Sequence, residues 1–285
     1  MIRRFEVHSS QNPEDGKPPV HPTAVIHPSA EIDPSAEIGP YAVIGEDVKI
    51  GAQTRVGSHA VLEFAHIGSS CQIHSHAFIG TMPQDLKYRG EKTKIVISDG
   101  TIVRECATLN RGTAQSGQTV IGKRCLFMAY SHVAHDCIIG DEVILANSVA
   151  VAGHAKIDSG VIIGGLSGIH QFVHVGRLSM VGAGAMVAQD VPPFCTVWGD
   201  RAKIVGLNLE GLRRRHYSQA SLDALKRAYR SLFFSKKTLK QTLAQLASAK
   251  KQTDEVKELL DFIQSSTRGV CRPRQKAETG ASDTW

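Results

Sequence analysis

A six-residue repeat of aliphatic side chains runs from Val20 to Val187 and restricts the fold more than any other feature. With 42% hydrophobic residues in the chain, the eight matches of the first frame and the twelve of the second have a joint chance probability of roughly 3 × 10⁻⁸, so the repeat is structural. A period of six is neither a helical period nor a simple strand alternation. The repeat positions are Val20, Ile26, Ile32, Ile38, Ile44, Ile50, Val56 and Leu62, then, after a slip of one residue, Ile67, Ile73 and Ile79, and in a second frame Ile121, Phe127, Val133, Ile139, Leu145, Val151, Ile157, Ile163, Ile169, Val175, Val181 and Val187.

A coil with three flat sides accounts for this period, with one hexad on each side and three hexads in each turn. Stacked turns would pair as parallel strands ~4.8 Å apart, and the aliphatic side chains would point inward. Gly, Asn or Asp is expected at the corners, where a positive φ costs these residues little. The aromatic content of 6% suits a narrow interior. The sequence therefore predicts a mainly β protein built on a parallel β-helix.

The repeat ends at a proline break, Asp190-Val191-Pro192-Pro193. From about Ser218 to Thr267 the apolar residues follow a helical spacing of three to four, and Ser218 and Thr253 are suitable N-caps. We therefore predict an N-terminal extension (1–19) and a β-helix domain (20–200) with an irregular excursion loop (81–120). A C-terminal α-helical domain (201–270) and a flexible tail (271–285) would follow.

Charge is divided unevenly between the two parts of the chain. Residues 200–285 hold 18 Lys+Arg and 9 Asp+Glu, a balance of +9, whereas residues 1–199 carry −3. A basic segment attracts nucleic acid, a membrane surface or an acidic protein, or is simply a solvated helical surface. The sequence has neither the long apolar run of a membrane span nor an export signal. Six cysteines without a CxxC pair indicate reduced thiols, so a cytoplasmic protein is expected.

Histidines are the strongest candidates for chemistry, because four of them (His132, His135, His154 and His170) cluster within the second frame. A turn of three hexads would stack His135, Gly153 and Gln171 on one face. A histidine base beside a glycine N–H suits acyl transfer, in which the base takes a proton from a hydroxyl and the amide stabilises the oxyanion.

Two other interpretations of these histidines stay open at this point. His132, His135 and His154 could serve as zinc ligands, or the histidines could be polar residues at coil corners without a catalytic role. Asp136 could orient His135. Since adjacent side chains on a straight strand point to opposite faces, this pairing requires a bend or a neighbouring subunit.

Several longer strings resemble one family, the cytoplasmic acyltransferases that transfer an acyl group from acyl carrier protein to the 3-hydroxyl of UDP-N-acetylglucosamine in the first step of lipid A synthesis. The resemblance covers most of the chain and implies a left-handed β-helix and a homotrimer with active sites between subunits. The strings are Gln84-Asp85-Leu86-Lys87-Tyr88, Asn110-Arg111-Gly112-Thr113, His132-Val133-Ala134-His135-Asp136-Cys137, Ala152-Gly153-His154, His170-Gln171-Phe172, Ala188-Gln189-Asp190-Val191-Pro192-Pro193 and Asn208-Leu209-Glu210-Gly211-Leu212-Arg213-Arg214-Arg215.

The resemblance implies a role for each matching residue. His135 would be the general base and the Gly153 amide the oxyanion donor. Ala183 would floor the acyl-chain pocket, where Gly is common in the family. The family's partner is an acidic acyl carrier protein, whose thioester is the co-substrate; no metal, cofactor or nucleic acid is expected. The residues that would bind UDP-N-acetylglucosamine and its acyl group are His132, His154, His170 and Gln171, with Asp85 and Lys87 acting across a subunit boundary and Asn208, Glu210, Arg214 and Arg215 at the uridine and phosphate end.

Three alternative functions remain at this point. A related N-acyltransferase acts on an amine, but that enzyme carries an N-terminal uridine-binding domain, whereas the first hexad here already begins at Val20. A zinc-dependent hydratase on the same type of coil would contain stoichiometric metal. A non-catalytic scaffold would not depend on His135.

Overall fold

Three parallel β-sheets form the sides of a triangular coil in the computed structural model, which describes residues 19–249 and 252–273. The described strands are β1 (Val25–Ile26), β2 (Glu31–Ile32), β3 (Glu37–Ile38), β4 (Val43–Ile44), β5 (Lys49–Ile50), β6 (Arg55–Val56), β7 (Val61–Leu62), β8 (Ala65–Ile67), β9 (Gln72–Ile73), β10 (Phe78–Thr81), β11 (Lys94–Ile97), β12 (Ile102–Val103), β13 (Thr108–Asn110), β14 (Gln118–Ile121), β15 (Leu126–Phe127), β16 (His132–Val133), β17 (Ile138–Ile139), β18 (Ile144–Leu145), β19 (Ala150–Val151), β20 (Lys156–Ile157), β21 (Ile162–Ile163), β22 (Gly168–Ile169), β23 (His174–Val175), β24 (Met180–Val181), β25 (Met186–Val187), β26 (Cys195–Trp198) and β27 (Lys203–Leu207).

Up to β25, every third strand belongs to the same sheet, as a three-sided coil requires. The sheets run in the orders β1-β4-β7-β10-β13-β16-β19-β22-β25, β2-β5-β8-β11-β14-β17-β20-β23 and β3-β6-β9-β12-β15-β18-β21-β24-β26-β27. Val133 pairs with Val151 and Val151 with Ile169, so each turn advances the register by three hexads. The second residue of nearly every short strand is buried in one continuous core. The predicted fold class, a left-handed β-helix followed by helices, is confirmed.

The corners differ from the prediction, because most of their left-handed residues are not glycine. Tyr130 (φ 62°), Leu166 (60°) and Phe172 (63°) are examples. Glycines such as Gly51 instead follow the buried aliphatic residue. A Cβ on Gly51 would lie 2.7 Å from the backbone of the next turn, so close packing of the turns excludes a side chain there. The prediction of Gly, Asn or Asp at the left-handed positions is therefore wrong for most corners.

The single excursion predicted over residues 81–120 is also wrong. A complete turn of coil, β11 to β13, lies within that range and contributes buried Ile97, Val103 and Leu109 at hexad spacing. Two shorter loops flank it, residues 82–93 and residues 111–117. The turn is in phase with the second frame, but the in-phase positions of the two loops are the polar residues Asp85, Glu91 and Gln115, which is why the repeat seems interrupted there.

The C-terminal part departs from its predicted boundaries at both ends. Residues 203–207 form β27, which pairs antiparallel with β26, so the helical part begins after this strand and not at residue 201. At the other end, Val270 and Pro273 form bridges to Asp190 and Ile204, and Cys271 is buried, so residues 271–273 are not a tail. Residues 1–18 of the predicted extension and 274–285 of the predicted tail lie outside the described residues.

Four helices lie between β27 and this returning segment: α1 (Leu209–Arg214), α2 (Gln219–Phe234), α3 (Leu239–Ala247) and α4 (Asp254–Ser265). Ser218 and Thr253 cap α2 and α4 as predicted, because each side chain accepts a hydrogen bond from a first-turn amide. A second apolar core, with Leu225, Leu259 and Phe194 fully buried, joins the helices to the end of the coil. None of the helices in the described ranges combines the length and the apolar character needed to cross a bilayer.

Candidate active site

A bend at one coil corner brings two adjacent side chains together. His135 and Asp136 follow β16, and Asp136 adopts a positive φ of 59°. As a result the His135 Nδ1 lies 2.7 Å from Asp136 Oδ2, and the His135 side chain is only 13% exposed. The bend required for this pairing is therefore present within one chain.

The Asp136 carboxylate accepts hydrogen bonds at both oxygens. Thr113 N–H donates to Oδ1 (2.9 Å), the Thr113 hydroxyl donates to Oδ2 (2.8 Å), and the Ser116 hydroxyl donates to Oδ1. Burial alone would raise the pKa of Asp136. The hydrogen bonds from Ser116, His135 and Thr113 together outweigh that effect and lower the pKa to about 2. Asp136 is therefore a buried anion at neutral pH, and it accepts the Nδ1–H of His135.

Gly153 lies directly against the imidazole of His135. A Cβ built on Gly153 would be 2.7 Å from Cε1 and 2.8 Å from Nε2 of that ring. Residues 135 and 153 are thus neighbours on successive turns, as the three-hexad register predicts. The Gly153 N–H has no acceptor in the described ranges. Gly153 therefore lies beside the His135 ring, as the predicted pairing of a base with an oxyanion donor requires.

Two further imidazoles surround His135. The His154 ring meets that of His135 edge-on, with 5.0 Å between centroids, and stacks on Phe172 at 4.5 Å. His132 Nδ1 is hydrogen-bonded to the Thr108 hydroxyl (2.7 Å). Burial lowers the pKa of both His154 and His132, so neutral imidazoles line this part of the coil.

His170 and Gln171 extend the same face to the next turn, and both are exposed. His170 Nδ1 lies 3.1 Å from the Gln171 carbonyl and 3.3 Å from the guanidinium of Arg268. Phe172 N–H donates to the Gly153 carbonyl (3.1 Å), which keeps this turn in register with the one below. Gln171 is therefore stacked one turn beyond Gly153, as predicted, and its role stays a prediction.

The loop of residues 82–93 carries Asp85 and Lys87. Asp85 Oδ1 accepts a hydrogen bond from the Lys87 N–H (2.9 Å), and the Lys87 side chain is exposed. The negative charge of Asp85 acts on His154 in the direction that raises its pKa. This loop therefore contributes to the electrostatic field around the histidines.

The four residues predicted for the uridine end lie elsewhere on the chain. Arg215 donates to Glu142 (2.9 Å) and packs against Gly160, at a different corner of the coil from Asp136 and His154. Glu210 and Arg214 form an exposed pair one helical turn apart. A single chain therefore does not bring this group to His135.

Asn208 already has structural partners. Its side chain caps α1 by accepting a hydrogen bond from Gly211 N–H (3.1 Å), and its Nδ2 donates to the Leu178 carbonyl (2.9 Å). Its predicted role at the uridine stays a prediction.

Ala183 is exposed, and its carbonyl accepts a hydrogen bond from the Trp198 indole at 3.0 Å. Trp198 also covers Gly182, whose Cβ would lie 3.0 Å from the indole ring. The structure therefore places Ala183 on the surface of the single chain, next to a large aromatic side chain.

One group of residues has the composition of a metal site. Ligand atoms of His135, Asp136 and His154 lie within 4.8 Å of one another, and His132 is not part of this group. The three imidazoles considered for zinc are therefore not gathered by the structure. Both Asp136 oxygens already accept hydrogen bonds from Thr113, Ser116 and His135, so the group is organised as a hydrogen-bonded pair with His154 beside it.

Comparison with known proteins agrees with this geometry. The model for bacterial transferase hexapeptide repeats matches residues 118–153, the model for the C-terminal domain of GMPPB matches residues 20–85, and the model for domain 2 of UDP-N-acetylglucosamine O-acyltransferase matches residues 190–271. An acyl-[acyl-carrier-protein]–UDP-N-acetylglucosamine O-acyltransferase of Aliarcobacter butzleri is 47% identical over 72% of this chain and 78% of its own. Its counterpart from Gloeothece citriformis is 50% identical over 70% and 72%.

Solved structures give the same result. The UDP-N-acetylglucosamine O-acyltransferase of Moraxella catarrhalis matches with a TM-score of 0.86 and 43% identity, over 89% of this chain and 99% of its own. The enzyme of Francisella novicida matches with a TM-score of 0.86 and 37% identity, over 89% and 94%.

The coil and its histidine corner define an acyltransferase of the hexapeptide-repeat class. Within that class, the chain belongs to the acyl-[acyl-carrier-protein]–UDP-N-acetylglucosamine O-acyltransferase family. The names of these relatives do not favour the N-acyltransferase or hydratase alternatives.

Proposed function

We propose that this enzyme transfers a 3-hydroxyacyl group from acyl carrier protein to the 3-hydroxyl of UDP-N-acetylglucosamine, the first step of lipid A synthesis. The observation that carries the proposal is the His135 imidazole, which is paired with a buried anionic Asp136 and lies against Gly153. Family membership supports the choice of donor and acceptor.

The geometry supports direct attack of the acceptor hydroxyl on the thioester, without an acyl-enzyme. Since Nδ1 of His135 carries the proton that Asp136 accepts, Nε2 is left with a lone pair for the acceptor hydroxyl. The hydroxyl oxygen attacks the thioester carbonyl as Nε2 takes its proton, and the negative charge that develops on the carbonyl oxygen is stabilised by the Gly153 N–H. Collapse of the intermediate breaks the C–S bond. The imidazolium then returns the proton to the thiolate of the carrier, so no cofactor is consumed.

Assembly as a homotrimer would complete the site. His135 and Arg215 lie at different corners of one coil, so a neighbouring chain is required to bring the residues proposed for the uridine end near the base. Apolar side chains along the outside of the coil support such contacts, since Tyr41, Tyr130 and Leu166 are 58%, 67% and 71% exposed. Asp85 and Lys87 would then act across the subunit boundary, together with His132, His154, His170 and Gln171 around the sugar.

The acyl carrier protein would approach the basic C-terminal part, where residues 200–285 carry +9. An acidic carrier would be attracted to this surface at low salt. The described cysteines are unpaired, which supports a reducing, cytoplasmic setting.

The decisive test is His135→Ala, assayed with UDP-N-acetylglucosamine and 3-hydroxyacyl carrier protein. Loss of the base is expected to reduce turnover by roughly 10²–10⁴ while the fold is retained. His27→Ala is the matched control, because His27 is an exposed corner histidine whose bond is local, to Ser29. Normal turnover of the His135 variant would remove this residue from the mechanism.

Ala183 is proposed to limit the length of the acyl chain. We expect Ala183→Gly to shift the preference toward longer 3-hydroxyacyl chains, because one methyl group is removed from the floor of the pocket. The measurement is kcat/KM with a series of carriers of increasing chain length. An unchanged preference would contradict this assignment.

A further inference from the structure

A short inserted loop lies beside the corner that carries His135 and Asp136. Residues 111–117 separate β13 from β14, and Ile97 pairs with Ile121, one hexad further along the chain than the regular register would place its partner. Gly117 N–H donates to the Thr113 carbonyl (2.8 Å), which closes the loop, and Gly112 N–H donates to the Lys94 carbonyl (3.1 Å), which fixes it to the coil. The loop is therefore held in one conformation.

All the side-chain contacts of this loop with the corner converge on one carboxylate. Thr113 is 8% exposed and binds both oxygens of Asp136, one through its amide and the other through its hydroxyl. Ser116, at the outer rim, contacts the same carboxylate. The fourth donor is His135 Nδ1. Three of the four donors thus come from the inserted loop and one from the catalytic base.

We propose that Thr113, supported by Ser116, is a positioning residue for the His135–Asp136 pair: it fixes the orientation of the carboxylate and shares its negative charge. A carboxylate with fewer donors is a stronger acceptor and stabilises an imidazolium more. The loop therefore keeps His135 oriented and limits how strongly the carboxylate accepts the Nδ1–H of the imidazole. The effect of Thr113 on turnover rests on the proposed function. Its effect on the His135 imidazole can be measured without that function.

Other charged groups near His135 are unchanged by substitution at Thr113. They are His132 and His154, each of which interacts electrostatically with His135, and Asp85, which interacts with His154. A shift caused by a Thr113 variant can therefore be assigned to the Asp136 carboxylate.

The test is Thr113→Val, which removes only the hydroxyl and retains the size and branching of the side chain. We expect the NMR titration midpoint of the His135 imidazole to rise by about half a unit to one unit, the equivalent of one net hydrogen bond. The acid limb of kcat/KM should move in the same direction. Turnover should fall several-fold while the KM values of both substrates stay within about twofold. Thr113→Ser, which keeps the hydroxyl, should restore all three quantities.

Thr119→Val is the matched control. Thr119 is fully buried, and its hydroxyl accepts a hydrogen bond from the Asp136 backbone N–H (2.9 Å) without contacting the carboxylate. It should lower stability without moving the midpoint. A midpoint unchanged in Thr113→Val, or moved equally by Thr119→Val, would overturn the proposal.

The NMR measurement separates this proposal from the proposed function, because it requires no turnover. Absence of acyl transfer by the wild-type enzyme would refute the function and leave the titration result interpretable. If Thr113→Val does not fold, Ser116→Ala at the exposed rim provides the second variant. It should raise the midpoint in the same direction, and an unchanged midpoint there would equally count against the proposal.

Discussion

The absence of a side chain at position 153 is what allows the His135 ring to rest where it does. A methyl group there would overlap Cε1 and Nε2 at 2.7–2.8 Å, closer than a Cβ approaches other heavy atoms. Gly153 is not among the residues with positive φ, so alanine is compatible with its backbone. The ring, and not the coil, would have to move.

We therefore expect Gly153→Ala to reduce kcat at least tenfold through displacement of the base, with little loss of thermal stability. Gly206→Ala is the matched control, because a Cβ at Gly206 meets no atom within 4 Å and this residue lies far along the chain from the corner. The measurements are kcat and Tm of the two variants, each compared with the wild-type enzyme. Equal kcat values would mean that the imidazole position is not critical.

At this scale the sequence predicts part of the site. The three-hexad period places Gly153 beside His135, because register alone determines that contact. The period does not predict the contact between Thr113 and Asp136, because Thr113 lies on an inserted loop. The pairing of His135 with Asp136 depends on a left-handed backbone at Asp136, which the period likewise does not specify.

The loop of residues 82–93 is fastened to the coil by one buried cation. The Arg111 guanidinium donates to the Gly80 carbonyl (2.7 Å) and to the Tyr88 hydroxyl (3.1 and 3.2 Å), and it lies 4.5 Å from the centre of the Phe64 ring. Tyr88 in turn donates to the Glu91 carbonyl (2.8 Å). The planar guanidinium thus links the wall of the coil to the middle of the loop.

Arg111→Met should free this loop while leaving His135 in place. Since Asp85 and Lys87 lie on the loop, we expect KM for UDP-N-acetylglucosamine to rise several-fold with kcat changed less, and amide exchange over 82–93 to accelerate. Arg111→Lys should not restore either KM or the exchange rate, because an ammonium group cannot reproduce the forked donors of a guanidinium. The control is Arg104→Met, which removes an exposed pair with Glu105. An unaltered exchange rate in Arg111→Met would show that Arg111 does not hold the loop on the coil.

Element boundaries are predictable only where the repeat is continuous. Ile97, Val103 and Leu109 share the phase of the second frame, but the in-phase positions of the two inserted loops (Asp85, Glu91 and Gln115) are polar, so their turn is hidden within the predicted excursion. Strand β27 escapes prediction for a different reason, because its short segment of partly exposed residues resembles a linker. The helix N-caps Ser218 and Thr253 are predictable because capping is a local interaction.

At the scale of the whole molecule, two ion pairs of the described residues join the coil to the helical part, Arg215 with Glu142 and Arg177 with Glu258. Arg177 forms a bidentate pair with Glu258 of α4 at 2.6–3.1 Å and donates to the Tyr217 hydroxyl at 2.8 Å. The hydrogen bonds to Glu258 raise the pKa of the Arg177 guanidinium further. Both side chains are 34% exposed, so solvent screening limits the strength of the pair.

We expect Arg177→Met to lower the free energy of unfolding by about 1–2 kcal/mol, because a bidentate pair and a bond to tyrosine are lost together. Lys49→Met, which removes an exposed pair with Glu31, should leave the free energy of unfolding nearly unchanged. Chemical denaturation of both variants gives the comparison. Similar values for the two would show that the pair does not join the parts.

The chain enters and leaves its helical part through neighbouring strands, since Val270 and Pro273 pair beside Asp190 and Ile204. The helical part is therefore a branch at the end of the β-helix, closed at its base by paired segments. Because the entropy of closing such a branch grows only with the logarithm of its length, helical turns can be gained or lost there at small thermodynamic cost. A change in the length of the helical part would therefore leave the register of the histidine corner unchanged.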